Sequence, residues 1–546
     1  MKKNKVIFLI SYLLGTVLLI GCNPMENAPT NKYTDDNYWT SVEKAQWVVN
    51  MAYSQMYNAG KMWTDESLSD NLFEGRSNTD QRLMRNGLAT PSLGVFASEW
   101  KDLYGGIKTC HLFLEKERLV SMTEAERIRM TAEIRFIRAA IYFRLTNFYG
   151  DIPFFTKDIT WDESKSVSRT PRATVIQFIH DELDAVMNQL PTKDQLNVDE
   201  RGKITKAAVC VLQARVYLSD NDWANASKYC DYLINQQSKY GSYSLFPDYA
   251  GLFAQDNEYN NEIIMDYGYV PEVKTWGEMF DMAPLSAGSR LNGRAPTQAL
   301  VNNYLTLNGK TIEEDPTYNE NNPYDNRDPR LTATVVYDGY NWRKNVIDEG
   351  KDKYIYIKPK SDPDQKTATD EYRGGTANQT ATGYYVRKYY DVKHETNLAS
   401  AINIITMRYA DVLLMYAEAM NEQGMMTSNI WNQTVRLLRV RAGFTKEEAL
   451  VYPNKSQDEM RQIIRRERRS ELALEGLRWF DIKRWKAGAE YLNGFVYGAK
   501  FANDNRDYIR LDNRKFNEAR DYLWAVPQSQ IDLNANLRPN NPGYAN

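Results

Sequence analysis

Histidine and cysteine are scarce in this sequence, which limits the kinds of site it can build. Its 546 residues include only three histidines and four cysteines. Neither a His-Glu-x-x-His nor a Cys-x-x-Cys pairing occurs, so the common zinc ligand sets are missing. Three of the cysteines lie within helical patterns, where we expect buried thiols and no disulfide framework: Cys110, Cys210 and Cys230.

Familiar catalytic motifs are also missing. The chain has neither a Gly-x-Ser-x-Gly nucleophile elbow nor a Gly-x-x-x-x-Gly-Lys-Ser/Thr phosphate loop. The paired carboxylates of a glycosidase have no fixed spacing along a chain, so the 71 acidic residues leave that alternative open. We predict that the protein is not an enzyme, and a surface hydrolase is the weakest of the alternatives.

One stretch, residues 319–328, is rich in Asp and Asn and offers the oxygen ligands that Ca²⁺ prefers. Its spacing is not that of an EF-hand, and a turn-rich loop is the favoured interpretation. We therefore predict no metal and no cofactor, with a structural Ca²⁺ ion as an unsupported alternative.

The N-terminus has the pattern of an export signal. Lys2, Lys3 and Lys5 precede an apolar run at residues 6–20, which ends in Leu19-Ile20-Gly21-Cys22. This pattern is typical of a bacterial lipoprotein signal, in which cleavage leaves Cys22 to carry a lipid. The run is shorter than the ~20 residues of a membrane span. We predict a signal peptide at 1–21 and a lipidated tether at 22–37; a retained signal anchor is the alternative.

Charge argues against a nucleic-acid partner. The chain has 68 basic and 71 acidic residues, and without the three signal lysines its net charge is −6. Nucleic-acid-binding surfaces are usually strongly basic. The predicted contact with a membrane is through the lipid anchor.

The clearest periodicity is helical. Ile134, Ile137, Ile141 and Leu145 recur at three and four residues, which places them on one face of a helix. Pairs in the small-x-x-Tyr relation suggest tetratricopeptide-like helical hairpins, although a generic hairpin is the alternative. These pairs are Ala139 with Tyr142 and Ala214 with Tyr217, and small residues recur at Ala226 and Ala417.

The pattern as a whole predicts one mostly α domain at 38–546. Helical repeats are expected at about 38–239 and 398–490, with a single helix at 404–423 and a long loop at 58–98. Between the two repeat regions, at about 240–397, we expect a large irregular lobe with short strands. An extended tail is predicted at about 491–546.

Charges are densest at residues 461–475, where Arg alternates with Glu. Glu467, Glu471 and Glu475 recur at every fourth position and share a helix face, within reach of arginines three or four residues away. We interpret this segment as a paired-charge helix with a structural role, since a nucleic-acid surface would not alternate in sign.

The loops combine aromatic rings with polar side chains, as carbohydrate sites do. A sugar presents C–H groups on its faces and hydroxyl groups at its edge, so it suits Trp or Tyr flanked by hydrogen-bonding groups. For any single residue, core packing is the better interpretation. The candidate ligand-binding residues are Trp63, Asp65, Asp70, Arg76 and Asn78 in the first loop and Tyr267, Tyr269, Trp276, Arg290 and Trp342 in the lobe.

Several segments together resemble the SusD/RagB family of outer-membrane nutrient-binding lipoproteins. The most specific lies within residues 464–485, where Arg465-Arg466-Glu467-Arg468-Arg469 leads into Glu475-Gly476-Leu477-Arg478-Trp479. The others are Cys22 and residues 36–41, 135–153, 327–330, 407–422, 435–443, 524–527 and 541–544. Ala525 departs from the Pro that is common at this place in the family.

This resemblance implies a function. It implies a lipoprotein anchored on the outer face of the outer membrane, which captures oligo- or polysaccharide and delivers it to a SusC-like TonB-dependent transporter. The tetratricopeptide-like helices would face the transporter, and the irregular lobe at about 240–397 would carry the ligand site. A lid that binds peptides or another nutrient is the alternative. The family's binding residues lie in variable loops, so the resemblance assigns no individual site residue.

Overall fold

The computed structural model describes residues 38–347, 351–364, 368–374, 378–501 and 507–545. The predicted signal peptide, Cys22 and the predicted tether lie outside these residues. Within the described ranges, no helix is both long enough and apolar enough to cross a membrane.

The first part of the chain is mainly helical. Its helices are α1 (Val42–Met56), α2 (Ala59–Ser67), α3 (Asp80–Arg85), α4 (Gly94–Lys116), α5 (Glu124–Tyr149), α6 (Trp161–Ser164), α7 (Arg172–Met187), α8 (Lys206–Ser219), α9 (Trp223–Asn235) and α10 (Gln237–Tyr240).

Helices dominate the last third as well. After α11 (Gln298–Asn303) and α12 (Pro329–Thr334) in the lobe, they are α13 (Tyr409–Glu422), α14 (Ser428–Gln433), α15 (Val435–Ala442), α16 (Glu447–Leu450), α17 (Gln457–Glu471), α18 (Arg478–Arg484), α19 (Gly488–Tyr491) and α20 (Gln528–Leu533).

The long helices pack as pairs, and the pairs stack on one another. α1 packs on α4, α5 on α7, α8 on α9 and α13 on α17. Further contacts join α1 to α5, α7 to α8 and α9 to α13, so each pair lies against the next. Ala139, Ala214 and Ala226 are completely buried, as close helix crossings require. The predicted scaffold of helical hairpins is confirmed.

Local sequence sets the ends of these helices. Thr123 and Glu126 form a capping box at the start of α5, in which each side chain accepts a backbone N–H of the other residue. Gly150, with a φ of 70°, ends the same helix at the predicted place. Its stripe of Ile134, Ile137 and Ile141 lies in the helical core.

The central lobe is irregular, as predicted, and its strands are short. The strands of the whole described chain form six two-stranded antiparallel pairs. They are β1 (Leu72–Glu74) with β5 (Arg294–Pro296), β2 (Ile152–Pro153) with β3 (Arg169–Thr170), β4 (Ile263–Tyr267) with β10 (Ile404–Arg408), β6 (Val335–Val336) with β9 (Tyr385–Val386), β7 (Tyr340–Asn341) with β8 (Tyr354–Ile355), and β11 (Gly494–Lys500) with β12 (Tyr508–Arg514).

Three predictions of local structure differ from what is observed. The single helix expected at 404–423 begins as strand β10, because these residues pair with β4, and becomes α13 only at Tyr409. The loop expected at 58–98 contains α2, β1 and α3 and the start of α4. The extended tail expected after residue 490 contains the β11–β12 hairpin.

Buried charges join the lobe to the helices. Arg408, at the end of β10, pairs with Glu471 and Glu475, and Arg330 in α12 pairs with Glu467 and Glu471. All five side chains are at most 3% exposed. The structural role predicted for the charged segment at 461–475 is confirmed.

Candidate functional site

The β11–β12 hairpin is held against the lobe by its inner face. Val496 is buried with Phe73 and Ala381, and Leu511 packs against them. A Cβ atom at Gly498 would lie 2.2 Å from the backbone oxygen of Thr382, so only glycine allows this approach. The close approach fixes the hairpin's position.

The outer face of the hairpin carries three exposed aromatic rings. Phe495 is 46% exposed, and Tyr497 and Tyr508 are each 37% exposed. The ring centroids of Phe495 and Tyr497 are 6.4 Å apart, and those of Tyr497 and Tyr508 are 6.0 Å apart. Arg510 places its guanidinium carbon 4.3 Å from the Phe495 centroid. We call Phe495, Tyr497 and Tyr508 the aromatic triad.

A groove of about 920 Å³ lies between this hairpin and α11. Its walls combine the aromatic triad with groups that form hydrogen bonds. The polar side chains that line it include Gln298, Asn302, Asn493, Asp507, Arg510 and Arg514. Rings beside amide and guanidinium groups provide both interactions that a sugar needs: stacking against a C–H face and hydrogen bonds to hydroxyl groups.

Asp70 lies at the base of the groove and is held by ion pairs. Its carboxylate is 2.8 Å from Arg478 and 2.9 Å from Arg469. Although burial opposes ionisation, these guanidinium groups hold the pKa of Asp70 well below its usual range. Burial also lowers the pKa of Arg514, to about 10. The base of the groove is therefore rigid and charged, and the Asp70 carboxylate is occupied by its ion pairs within the protein.

Most residues predicted to bind a ligand are buried. Trp63 and Trp342 are 0% exposed, and both lie in the core of the lobe. Asp65 is also fully buried and pairs with Arg144 at 2.7 Å. These three side chains have no surface to offer a ligand, so we leave them out of the proposed site; they pack and pair inside the protein.

Tyr267, Tyr269 and Trp276 are brought together, as a cluster of rings. The centroid distances are 5.2 Å from Tyr267 to Tyr269 and 6.2 Å from Tyr269 to Trp276. Tyr267 and Trp276 are nevertheless below 9% exposed, and the Trp276 indole N–H donates to the Ile402 carbonyl at 2.8 Å. This cluster connects the lobe to α2, because the Tyr269 hydroxyl accepts the Ala59 N–H at 2.9 Å.

Arg76, Asn78 and Arg290 are exposed, at the other end of the β1–β5 pair from the groove. The Gly75 N–H donates to the Gly293 carbonyl at 2.8 Å, which brings the Arg76 loop close to the Arg290 loop. Arg290 forms a bidentate ion pair with Asp281, with N–O distances of 2.9 and 3.0 Å. These three residues are available to a long ligand that extends beyond the groove, and their role in binding stays a prediction.

The aromatic triad was not among the predicted residues. A signal was present in the sequence, since Phe495, Tyr497, Tyr508 and Arg510 alternate with Val496, Ile509 and Leu511. This alternation at every second residue is typical of a strand with one exposed face.

The acidic loop at 319–328 forms turns, and its last residue, Asp328, pairs with Arg330 at 2.7 Å. Among the described residues, no group of three His, Cys, Asp or Glu side chains is arranged to hold a metal ion. The three cysteines outside the N-terminal segment are buried and free, as expected.

The fold and this groove define a helical-repeat protein with an irregular lobe and an aromatic surface groove. The model of the SusD family matches residues 232–544, which is more than half of the chain, and the protein belongs to that family. A second model, described as "Starch-binding associating with outer membrane", matches residues 25–218 and supports the predicted association with the outer membrane. Family membership also confirms the prediction that the chain is not an enzyme.

Relatives and solved structures agree with this assignment. The chain is 26% identical to SusD-like protein P2 of Formosa agariphila, with both chains covered completely. It is 28% identical over 225 residues to the starch-binding protein SusD of Bacteroides thetaiotaomicron, covering 39% of this chain and 37% of that protein. A SusD-like carbohydrate-binding protein of Bacteroides fragilis superposes with a TM-score of 0.81 at 25% identity, covering 92% of this chain and 100% of that one.

Proposed function

We propose that this protein binds oligo- or polysaccharide in the groove between the β11–β12 hairpin and α11. The observation that carries the proposal is the aromatic triad, whose adjacent exposed rings line a groove with amide and guanidinium side chains. Exposed aromatic rings on a fixed backbone are good stacking partners, because little conformational entropy is lost when a ligand binds.

The names of similar proteins support a sugar ligand. One relative is a starch-binding protein, and a laminarin-binding SusD-like protein superposes with a TM-score of 0.68 at 21% identity, covering 93% of this chain and 100% of that one. The exposed rings also favour a sugar over a peptide captured by strand addition, since that mode relies on main-chain hydrogen bonds at a sheet edge.

We further propose that the bound glycan is delivered to a SusC-like TonB-dependent transporter. In this arrangement the protein is held on the outer surface of the outer membrane by a lipid on Cys22. Support comes from the N-terminal sequence pattern and from family membership. Replacing Cys22 with Ala should release the protein from the membrane fraction, and affinity purification of the lipidated protein from detergent-solubilised outer membranes should recover a TonB-dependent transporter.

Binding is tested with soluble protein that begins after Cys22. Electrophoresis through native gels that contain plant, host or microbial polysaccharides should show retardation by at least one of them, and calorimetry then gives the affinity. A Phe495→Ala/Tyr497→Ala/Tyr508→Ala variant should migrate as it does without glycan. The matched control is Trp161→Ala, since Trp161 is 66% exposed on α6, outside the groove. Retardation of the triple variant equal to that of the wild type would rule out this site.

A further inference from the structure

A second cavity, of about 700 Å³, lies within the helical scaffold. It is bounded by α5, α8 and α18 and by the chain near residues 518–523 and 541–542. None of its lining residues belongs to the groove beside the hairpin. Its size is that of a cavity for a small molecule.

The walls of this cavity are largely apolar. Apolar side chains come from each of the three helices and from the residue before α18, and they include Phe143, Leu212, Leu218, Leu477 and Phe480. An apolar enclosure of this kind gains affinity by removing apolar ligand surface from water, about 25 cal/mol per Å² buried. A ligand suited to this cavity would therefore have an apolar body.

The same walls carry an excess of positive charge. Nine basic and five acidic residues line the cavity, a net charge of +4 in a chain whose net charge is −3. Most of the basic groups are already paired: Arg144 with Asp65, Arg215 with Asp411 and Arg484 with Glu418, for example. These paired groups belong to the fold and are not available to a ligand.

Lys483 is different from the paired cations. It lines the cavity from α18, and in the described part of the chain no carboxylate lies within ion-pair distance of its ammonium group. The two charged groups that act on it most strongly are themselves basic, Arg172 and Lys486. Arg172 is paired with Asp220 at 2.6 Å. Partial burial, together with these two positive charges, lowers the pKa of Lys483 well below its usual value.

Lys483 is partly exposed and unpaired, so its ammonium group is free to pair with an anion that enters the cavity. We infer that the scaffold cavity binds a small amphiphile, with an anionic group paired to Lys483 and an apolar body against Phe143, Leu218 and Phe480. This site is separate from the proposed glycan groove and does not depend on it.

The test uses the soluble protein that begins after Cys22, with decanoate as the probe and 1-decanol as its uncharged counterpart. Calorimetry or ligand-observed NMR should show one decanoate per chain, bound at least tenfold more tightly than decanol. Lys483→Met should reduce decanoate affinity to that of decanol and leave decanol binding unchanged. The control, Lys101→Met, changes an exposed lysine of α4 outside the cavity and should bind both probes as the wild type does.

A second variant tests the place of binding. Ala140 lies on α5 in the wall of the cavity, and Ala140→Phe should fill part of it and weaken both probes at least tenfold. Both variants should keep their glycan retardation, which separates failure of this proposal from failure of the first. The inference is overturned if the wild type does not bind decanoate, or if decanoate binds equally well to the wild type and to folded Lys483→Met.

Discussion

A guanidinium nitrogen of Arg408 lies 2.7 Å from the carboxylate of Glu471, with both side chains almost fully removed from solvent. Arg408 ends strand β10, and Glu471 is the last residue of α17. The same carboxylate also receives Arg330, at 2.9 Å, and Arg441. One acidic group therefore contacts three buried cations where the lobe meets the helices, and each of these cations also pairs with at least one other carboxylate.

Replacing Glu471 with Gln should lower the free energy of unfolding by about 3 to 5 kcal/mol, because each of three buried arginines loses one of its carboxylate partners. Urea unfolding at neutral pH measures the change. Glu447→Gln is the control, since Glu447 is 72% exposed in its pair with Arg436 and should cost less than about 0.5 kcal/mol. Equal effects of the two substitutions would contradict a structural role for the buried cluster.

Within the aromatic triad, Tyr497 should contribute most to glycan binding. Its ring lies between those of Phe495 and Tyr508 and contacts both. Tyr497→Ala should weaken binding by about 1 to 2 kcal/mol, roughly 5- to 30-fold, and Tyr497→Phe should weaken it less because the stacking face remains. Calorimetry with the glycan found in the gel screen measures both. A larger loss for Phe than for Ala would show that the hydroxyl group, not the ring, dominates.

Replacing either of two adjacent glycines in α4 with Ala should change the stability of the protein, in opposite directions at the two positions. A Cβ atom at Gly105 meets nothing within 4 Å, whereas one at Gly106 would lie 2.7 Å from the Cδ1 atom of Ile141 in α5. Gly105→Ala should stabilise the protein by about 0.5 to 1 kcal/mol through helix propensity. Gly106→Ala should destabilise it by about 1 to 3 kcal/mol through overpacking. Thermal unfolding of the two variants compares them directly, and shifts of the same sign would contradict this packing.

His111 should make stability depend on pH. It is 1% exposed, and neither ring nitrogen has a hydrogen-bond partner among the described residues. Burial, aided by the charge of Arg138, lowers its pKa from 6.5 to about 4. Between these values the unfolded chain binds more protons than the folded one, so this contribution to stability is lost as the pH falls through that window.

Acidification from about pH 7 to about pH 5 should therefore lower the contribution of His111 to the free energy of unfolding by about 2 kcal/mol. His111→Leu removes the titrating group, and urea unfolding at both pH values should show a correspondingly smaller loss in the variant. An identical loss in the wild type and the variant would place the pH dependence elsewhere.

The helical scaffold could be predicted because its signal is local. The stripe along α5 and the small residues at helix crossings follow from the spacing of neighbours in sequence. Strand β10 was predicted as helix because its apolar residues run directly into α13, and only pairing with β4 makes them extended. The polar composition of α2 suggested a loop, but Lys61 and Asp65 are paired across helices with Glu99 and Arg144.

The candidate site was harder to predict. The sequence shows which residues are aromatic, but the exposure of each ring depends on tertiary contacts. Composition indicated aromatic side chains beside polar groups, but the burial of Trp63 and Trp342 depends on contacts far apart in sequence. Which face of the hairpin is exposed depends in turn on the packing of Val496 against Phe73. No local pattern contains that information.

The groove is lined by residues that are far apart in sequence and are therefore synthesised at different times. Asp70 and Arg514 both line it, and Arg514 also donates to the Leu72 carbonyl at 3.1 Å. A nascent chain therefore has no groove until nearly all of it has been made and has folded back on its beginning. A ligand bound there contacts segments near both ends of the chain, so glycan binding should raise the free energy of unfolding of the whole native protein. Glycan binding would therefore also show whether folding is complete.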